Sequence, residues 1–177
     1  MNKFKIGLDV DDVLAAFYIA YALKHNKPLH PVDIWNEQWI IDKFKTDYLD
    51  VDFWINLPVY TPPESIDFKV DCYISTLRPE LHDVRKDWLM MNGFPDAPLF
   101  LTNNKLSVIK ERDLDYFVDD KYDTIELIKN SNHKCKGIQF IPWYHLPENI
   151  SGPVSRNMKE VNTTIKLWQQ IDLIKEN

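Results

Sequence analysis

The chain sets acids at the end of an apolar run almost as soon as it begins: Ile6-Gly7-Leu8 passes into Asp9-Val10-Asp11-Asp12 and then Val13-Leu14. Side chains of a strand alternate, so Asp9 and Asp11 fall on one side, at the point where a buried sheet meets solvent. Two carboxylates that close repel unless they share a proton or a cation. A hard, oxygen-seeking ion such as Mg2+ meets that demand and leaves room for a phosphate oxygen. The motif points to phosphoryl transfer at a sheet edge.

Five short runs rich in branched or aromatic residues read as strands: Phe4 to Leu8, Val70 to Ser75, Pro98 to Leu101, Tyr116 to Val118 and Gly137 to Ile141. Leu81, Val84, Trp88 and Leu89 share one helical face, Ile125 and Ile128 another, and Ile165, Trp168, Ile171 and Ile174 form a stripe near the C-terminus. This alternation predicts the α/β class, with a Rossmann-like parallel sheet covered by helices on both faces. The connection between the first two strands breaks the rhythm, because residues 15–66 stand where one crossover helix would suffice. A small helical cap inserted after the first strand is expected there, leaving residues 1–14 and 67–177 as the catalytic core. Ten of the 23 aromatic residues fall within the cap segment, under a third of the chain, and serve either as its own core or as surface for a ligand. Pro58, Pro62 and Pro63 mark its return.

Composition narrows the partners. A chain of 177 residues, 45% hydrophobic, can bury one core plus a small insertion. A net charge of -6 argues against an extended nucleic acid or an anionic membrane surface, so phosphate binding must be local. The longest apolar run, Val13 to Leu23, is eleven residues, short of the roughly 20 that span a bilayer. With no leader pattern ahead of the first strand, a cytoplasmic location is expected. Cys72 and Cys135 lack paired spacing and read as buried small hydrophobes. The five histidines, His25, His30, His82, His133 and His145, show no ligand spacing.

Four segments place polar groups where strands end or helices begin: Asp9-Val10-Asp11, Ser75-Thr76, Asn104-Lys105 and Asp119-Asp120. Open parallel sheets bind their ligands along that edge. Taken singly, Thr76 reads as a helix cap, Lys105 as a surface lysine and Asp119-Asp120 as a capping pair. Taken in order, they read as one site. The four glycines, at 7, 93, 137 and 152, form no phosphate-cradling loop, which leaves the binding to cations and metal.

The pattern resembles the haloacid dehalogenase superfamily of phosphatases along the whole chain. Asp9 to Phe17, Leu101-Thr102-Asn103-Asn104-Lys105 and Phe117-Val118-Asp119-Asp120 look most like the 5'(3')-deoxyribonucleotidases. The resemblance implies that Asp9 is the nucleophile and Asp11 the general acid and base. It also implies that Thr76 and Lys105 hold the phosphate, and that Asp9, the backbone carbonyl of Asp11 and Asp120 bind Mg2+. Two departures stand out. Asp12 occupies a position commonly glycine in the family, and Leu77-Arg78-Pro79 is unlike its usual sequence; Arg78 either contacts phosphate or caps a carboxylate. Asp123 is a helix-start residue or a neighbour of the metal site, and Lys110 is a weaker substitute for Lys105.

By the same resemblance, Phe17 lines a base pocket, and Phe53-Trp54 corresponds to a second aromatic element that stacks a nucleobase. The expected activity is magnesium-dependent hydrolysis of deoxyribonucleoside monophosphates, with a small nucleotide as the only partner of the site. A polynucleotide-end phosphatase and a non-catalytic nucleotide- or metal-binding module are the alternatives. Base preference, 5' versus 3' phosphate, and monomer versus homodimer stay open.

Overall fold

Alternation within the short apolar runs decides which helix covers which face of the sheet. In the computed structural model, which describes residues 4–175, strand β4 (Tyr116–Asp119) turns Tyr116 and Val118 toward Trp88, Met158, Val161 and Ile165. Its Phe117 points the other way, into a cluster with Ile109, Leu114, Ile125 and Ile128. Strand β2 (Cys72–Ser75) repeats the division, with Tyr73 in the first cluster and Cys72 and Ile74 in the second. Helices α4 (His82–Met91) and α7 (Met158–Lys175) therefore cover one face, while α5 (Lys105–Glu111) and α6 (Tyr122–Asn130) cover the other. Both cysteines lie buried in the smaller cluster, and desolvation pushes each thiol up to about 12, far from reactive.

Strands β1 (Ile6–Leu8), β3 (Leu99–Leu101), β5 (Lys136–Phe140) and β6 (Val154–Ser155) complete a six-stranded sheet in the order β3-β2-β1-β4-β5-β6, parallel throughout. The chain winds from β1 outward to β3, then restarts at β4 on the other side of β1. That reversal opens a crevice beyond the carboxyl ends of β1 and β4, where such sheets take ligands. β1 is tightly enclosed: a Cβ on Gly7 would stand 2.7 Å from Leu114 Cδ1 and 2.9 Å from Phe117 Cδ2. Only glycine fits that approach without a shift in the neighbours.

Residues 15–66 hold helices α1 (Phe17–Lys24), α2 (Gln38–Asp47) and α3 (Val51–Ile55), with 3-10 turns at Ile34–Asn36 and Pro63–Ser65. The two ends of this segment are stitched together. Ala15 bridges Val59, the Leu14 carbonyl accepts from the backbone N–H of Tyr60 and Thr61, and the Thr61 hydroxyl donates to the Val13 carbonyl at 2.5 Å. The excursion thus leaves and re-enters the sheet at one place, directly beside the acid motif.

Two sequence expectations change. The two-residue β6 follows Gly152-Pro153, and its length gives no periodic signal. In α7, Ile165 is buried and Trp168 stacks on Tyr116, but Ile171 and Ile174 are exposed. The apolar contact with the core runs out after Trp168, where Asp172 instead accepts from Tyr116 and Lys136. Among the described residues no helix is long and apolar enough to cross a membrane.

Candidate active site

Strand β1 ends at Leu8, and the Asp9 N–H donates to the Val118 carbonyl at 2.9 Å, which keeps Asp9 in register with β4. The chain then turns sharply, with the N–H groups of Leu14 and Ala15 both returning to the Val10 carbonyl. This turn needs Asp12 at φ 56°, in the left-handed region. Aspartate tolerates that conformation where its short side chain finds local partners. Here Oδ1 accepts from the Tyr18 N–H at 3.0 Å and from the Tyr144 hydroxyl at 2.8 Å. The backbone thus accounts for glycine elsewhere in the resembled family, and the two tyrosines account for aspartate in this chain.

β3 ends at Leu101, and Asn104 caps α5 by accepting from the Ser107 N–H at 3.1 Å. Lys105 is therefore the first residue of the helix, buried. Its Nζ lies 2.9 Å from Asp9 Oδ1 and 2.6 Å from Asp119 Oδ2. Asp119 closes β4 and its other oxygen accepts from the Lys121 N–H at 2.8 Å. Asp9, Asp119 and Asp120, all buried, can each direct one carboxylate oxygen so that the three lie within 4.8 Å of one another. Asp120 Oδ1 is buried without a hydrogen-bond partner. An all-oxygen donor set with an unmatched buried oxygen suits a hard divalent cation.

The charge balance explains the electrostatics. Burial first, with Asp119 and Asp11 adding repulsion that Lys105 partly offsets, pushes the Asp9 carboxyl up to about 7. Burial also pushes Asp12 up to about 8 and drives Asp120 well above the usual carboxylate range, helped by Asp119 and Asp9. Burial alone would lower Lys105, but Asp119 and Asp9 outweigh it and hold the ammonium firmly charged. Such crowding of acids is costly in an isolated fold and is relieved by a bound cation.

Asp11 faces a different set of partners. Its Oδ1 accepts from Arg85 Nη2 at 2.6 Å and its Oδ2 from the Ser75 hydroxyl at 2.9 Å. Arg85 is fully buried on α4, with its guanidinium 5.2 Å from the Trp54 ring centroid and 5.6 Å from that of Trp88. Sequence reading missed this arginine. It lies four residues after Leu81 and three before Trp88, on the buried face, yet a charge inside an apolar pattern reads as solvent-facing.

A cavity of about 480 Å³ opens above these groups. Its polar lining includes Asp9, Asp11, Thr76, Lys105, Asp120 and Lys121, and its apolar part includes Phe17, Trp35, Ile40, Phe44, Trp54 and Leu77. Phe17 is the hub of the aromatic wall: it lies parallel to Trp54 at 5.7 Å and to Trp35 at 6.3 Å, with Phe44 edge-on at 6.1 Å. Trp35 and Phe44 were not singled out in the sequence, where ten aromatics crowd one segment without a pattern to rank them. Phe53 is absent from the lining and packs edge-on behind Phe17 and Trp54. Arg78 is exposed and lies over the Tyr48 ring, 3.7 Å from its centroid, and is not part of the cavity lining. Asp123 is exposed in the first turn of α6, and Lys110 in the last turn of α5.

No family model matches the chain. A curated protein of Oceanobacillus iheyensis, named "Putative nucleotidase OB0422", is 30% identical to it over 159 aligned positions, which cover 73% of this chain and 84% of that protein.

Proposed function

The chain belongs to the family of this Oceanobacillus nucleotidase, and we propose that it is a magnesium-dependent phosphatase of deoxyribonucleoside monophosphates that works through an aspartyl-phosphate on Asp9. The observation that carries this reading is the placement of Asp9 against Lys105, beside Asp119 and Asp120, at the floor of an aromatic-walled cavity. Asp9 and Asp120 would hold the ion, with Asp119 beside them and the Asp11 carbonyl as the resemblance implies. When bound, Mg2+ supplies charge neutralisation for the acids and for the phosphate oxygens.

The residues divide the work. An Asp9 oxygen attacks phosphorus, forming the acyl-phosphate bond while the ester oxygen leaves. Asp11, oriented by Arg85 and Ser75, gives that oxygen a proton and then takes one from the water that cleaves the acyl-phosphate. Lys105, held between Asp9 and Asp119, faces the charge that spreads over the transferring oxygens, and Thr76 offers them a hydroxyl. The base fits the apolar wall, where Phe17 and Trp54 give parallel aromatic surface.

A phosphate-release assay tests the proposal with deoxyribo- and ribonucleoside monophosphates, sugar phosphates and an oligonucleotide 3'-phosphate, each with Mg2+ and with EDTA. The expected result is Mg2+-dependent turnover that is fastest on deoxyribonucleoside monophosphates, with a raised KM in Trp54→Leu. Equal rates on sugar phosphates, faster turnover of the oligonucleotide, or full activity in EDTA would overturn it.

A further inference from the structure

A side-chain hydrogen bond ties the cap segment to Asp120. Trp35 Nε1 donates to Asp120 Oδ2 at 2.7 Å, across 85 positions of sequence. An indole N–H is a donor only, so Asp120 must meet it with an acceptor oxygen. The two oxygens of Asp120 then differ: Oδ2 is committed to the indole, and Oδ1 is buried without a hydrogen-bond partner, on a residue that brings a carboxylate oxygen within 4.8 Å of one each from Asp9 and Asp119. The same tryptophan lines the cavity, lies within 4° of parallel to Phe17, and has Lys121 Nζ 5.6 Å from its ring centroid.

Trp35 is anchored from the core side. Val32 bridges His145, with its N–H donating to the Tyr144 carbonyl and its carbonyl accepting from the Leu146 N–H. Asp33 accepts from the Glu148 N–H at 3.1 Å and from the Asn36 amide at 2.8 Å. The 3-10 turn that carries Trp35 is thereby tied to the loop after β5, which gives the indole a fixed point from which to hold a carboxylate.

We propose that Trp35 is a positioning residue for the metal site: its indole N–H fixes the Asp120 carboxylate so that the other oxygen faces the ion, and its ring makes the same residue part of the substrate wall. This inference rests on the magnesium reading above. Groups that orient a metal-binding carboxylate commonly matter to metal affinity by about 10–100-fold.

The test is calorimetric titration of Mg2+ into metal-depleted protein without nucleotide, for wild type, Trp35→Phe and Trp35→His. Phenylalanine keeps an aromatic ring against Phe17 and removes only the donor. The expected result is about 10-fold or greater weakening of Mg2+ binding in Trp35→Phe, with an unchanged melting temperature and partial recovery in Trp35→His. Wild-type Mg2+ affinity in a folded Trp35→Phe would overturn the role of Trp35 and leave the metal site standing. Failure of the wild type to bind Mg2+ would overturn the metal reading and this inference with it. If Trp35→Phe does not fold, the wild type answers alone. One of the six indole N–H resonances should then shift with the midpoint of the calorimetric isotherm, and a spectrum in which none moves would contradict the proposal.

Discussion

The two ends of the same parallel strands treat their acids in opposite ways. At the amino ends, each carboxylate has a cation or a backbone donor: Asp71 meets Lys69 and the Ile6 N–H, Asp115 meets Lys134 and the Lys5 N–H, and Asp113 meets Lys134. At the carboxyl ends five acids crowd around two buried cations: Lys105 meets Asp9 and Asp119, Arg85 meets Asp11, and Asp12 and Asp120 have only neutral donors, Tyr18 and Tyr144 for the first and Trp35 for the second. Peripheral acids such as Asp113 are held below the usual carboxylate range by their partners, whereas Asp9, Asp12 and Asp120 are pushed above it by burial. An edge built only for stability would resemble the first. The surplus of acid at the second is the charge that the proposed cation would offset.

The comparison breaks most visibly at Asp9. Asp9→Asn removes the nucleophile and should lower kcat on the order of 10⁴-fold, measured by phosphate release, while the melting temperature holds or rises because a buried repulsive charge is gone. Next comes Arg85→Met, which leaves Asp11 without its buried counter-charge. Breaking such a pair typically costs about 3–5 kcal/mol, to be read from urea denaturation.

The pH dependence of stability sharpens the contrast. Unfolded, these carboxyls titrate near 3.8; folded, Asp9 and Asp12 keep their protons up to about 7 and about 8. Between those values the native state binds more protons, so the stability they contribute is present below the unfolded value and lost as pH rises through the folded ones. EDTA-treated protein should therefore lose melting temperature from about pH 5 to 8. Mg2+ at 100 times its Kd should restore about 2.7 kcal/mol at the alkaline end. Asp113 behaves oppositely, its contribution being lost only as pH falls below the usual carboxylate range. The smallest effect belongs to the amino edge, where Lys134→Met should cost less than about 1 kcal/mol and leave kcat unchanged.

Much of this contrast was legible in the sequence. Asp9, Lys105 and Asp120 were readable because each follows an apolar strand or opens the next helix, and parallel order gathers such ends along one edge. Arg85 and Trp35 were not, and Ser75 was readable only as a polar group at a strand end, for separate physical reasons. Arg85 is a buried charge on an otherwise apolar helix face, Ser75 is a strand residue whose hydroxyl gains meaning only from Asp11, and Trp35 reaches Asp120 from a turn that no periodic signal places. Asp12 shows the same limit within the motif itself, since its positive φ and its bond to Tyr144 depend on a loop 132 positions away.

The central claim is that the surplus acid at the carboxyl edge includes a nucleophile that carries the phosphoryl group. Acid quenching of the protein during Mg2+-dependent hydrolysis of a deoxyribonucleoside monophosphate, followed by peptide mass spectrometry, tests it directly. The account predicts a phosphoryl group on Asp9, present in wild type and missing in Asp9→Asn. Sustained turnover in Asp9→Asn, or phosphorylation at another residue, would contradict it.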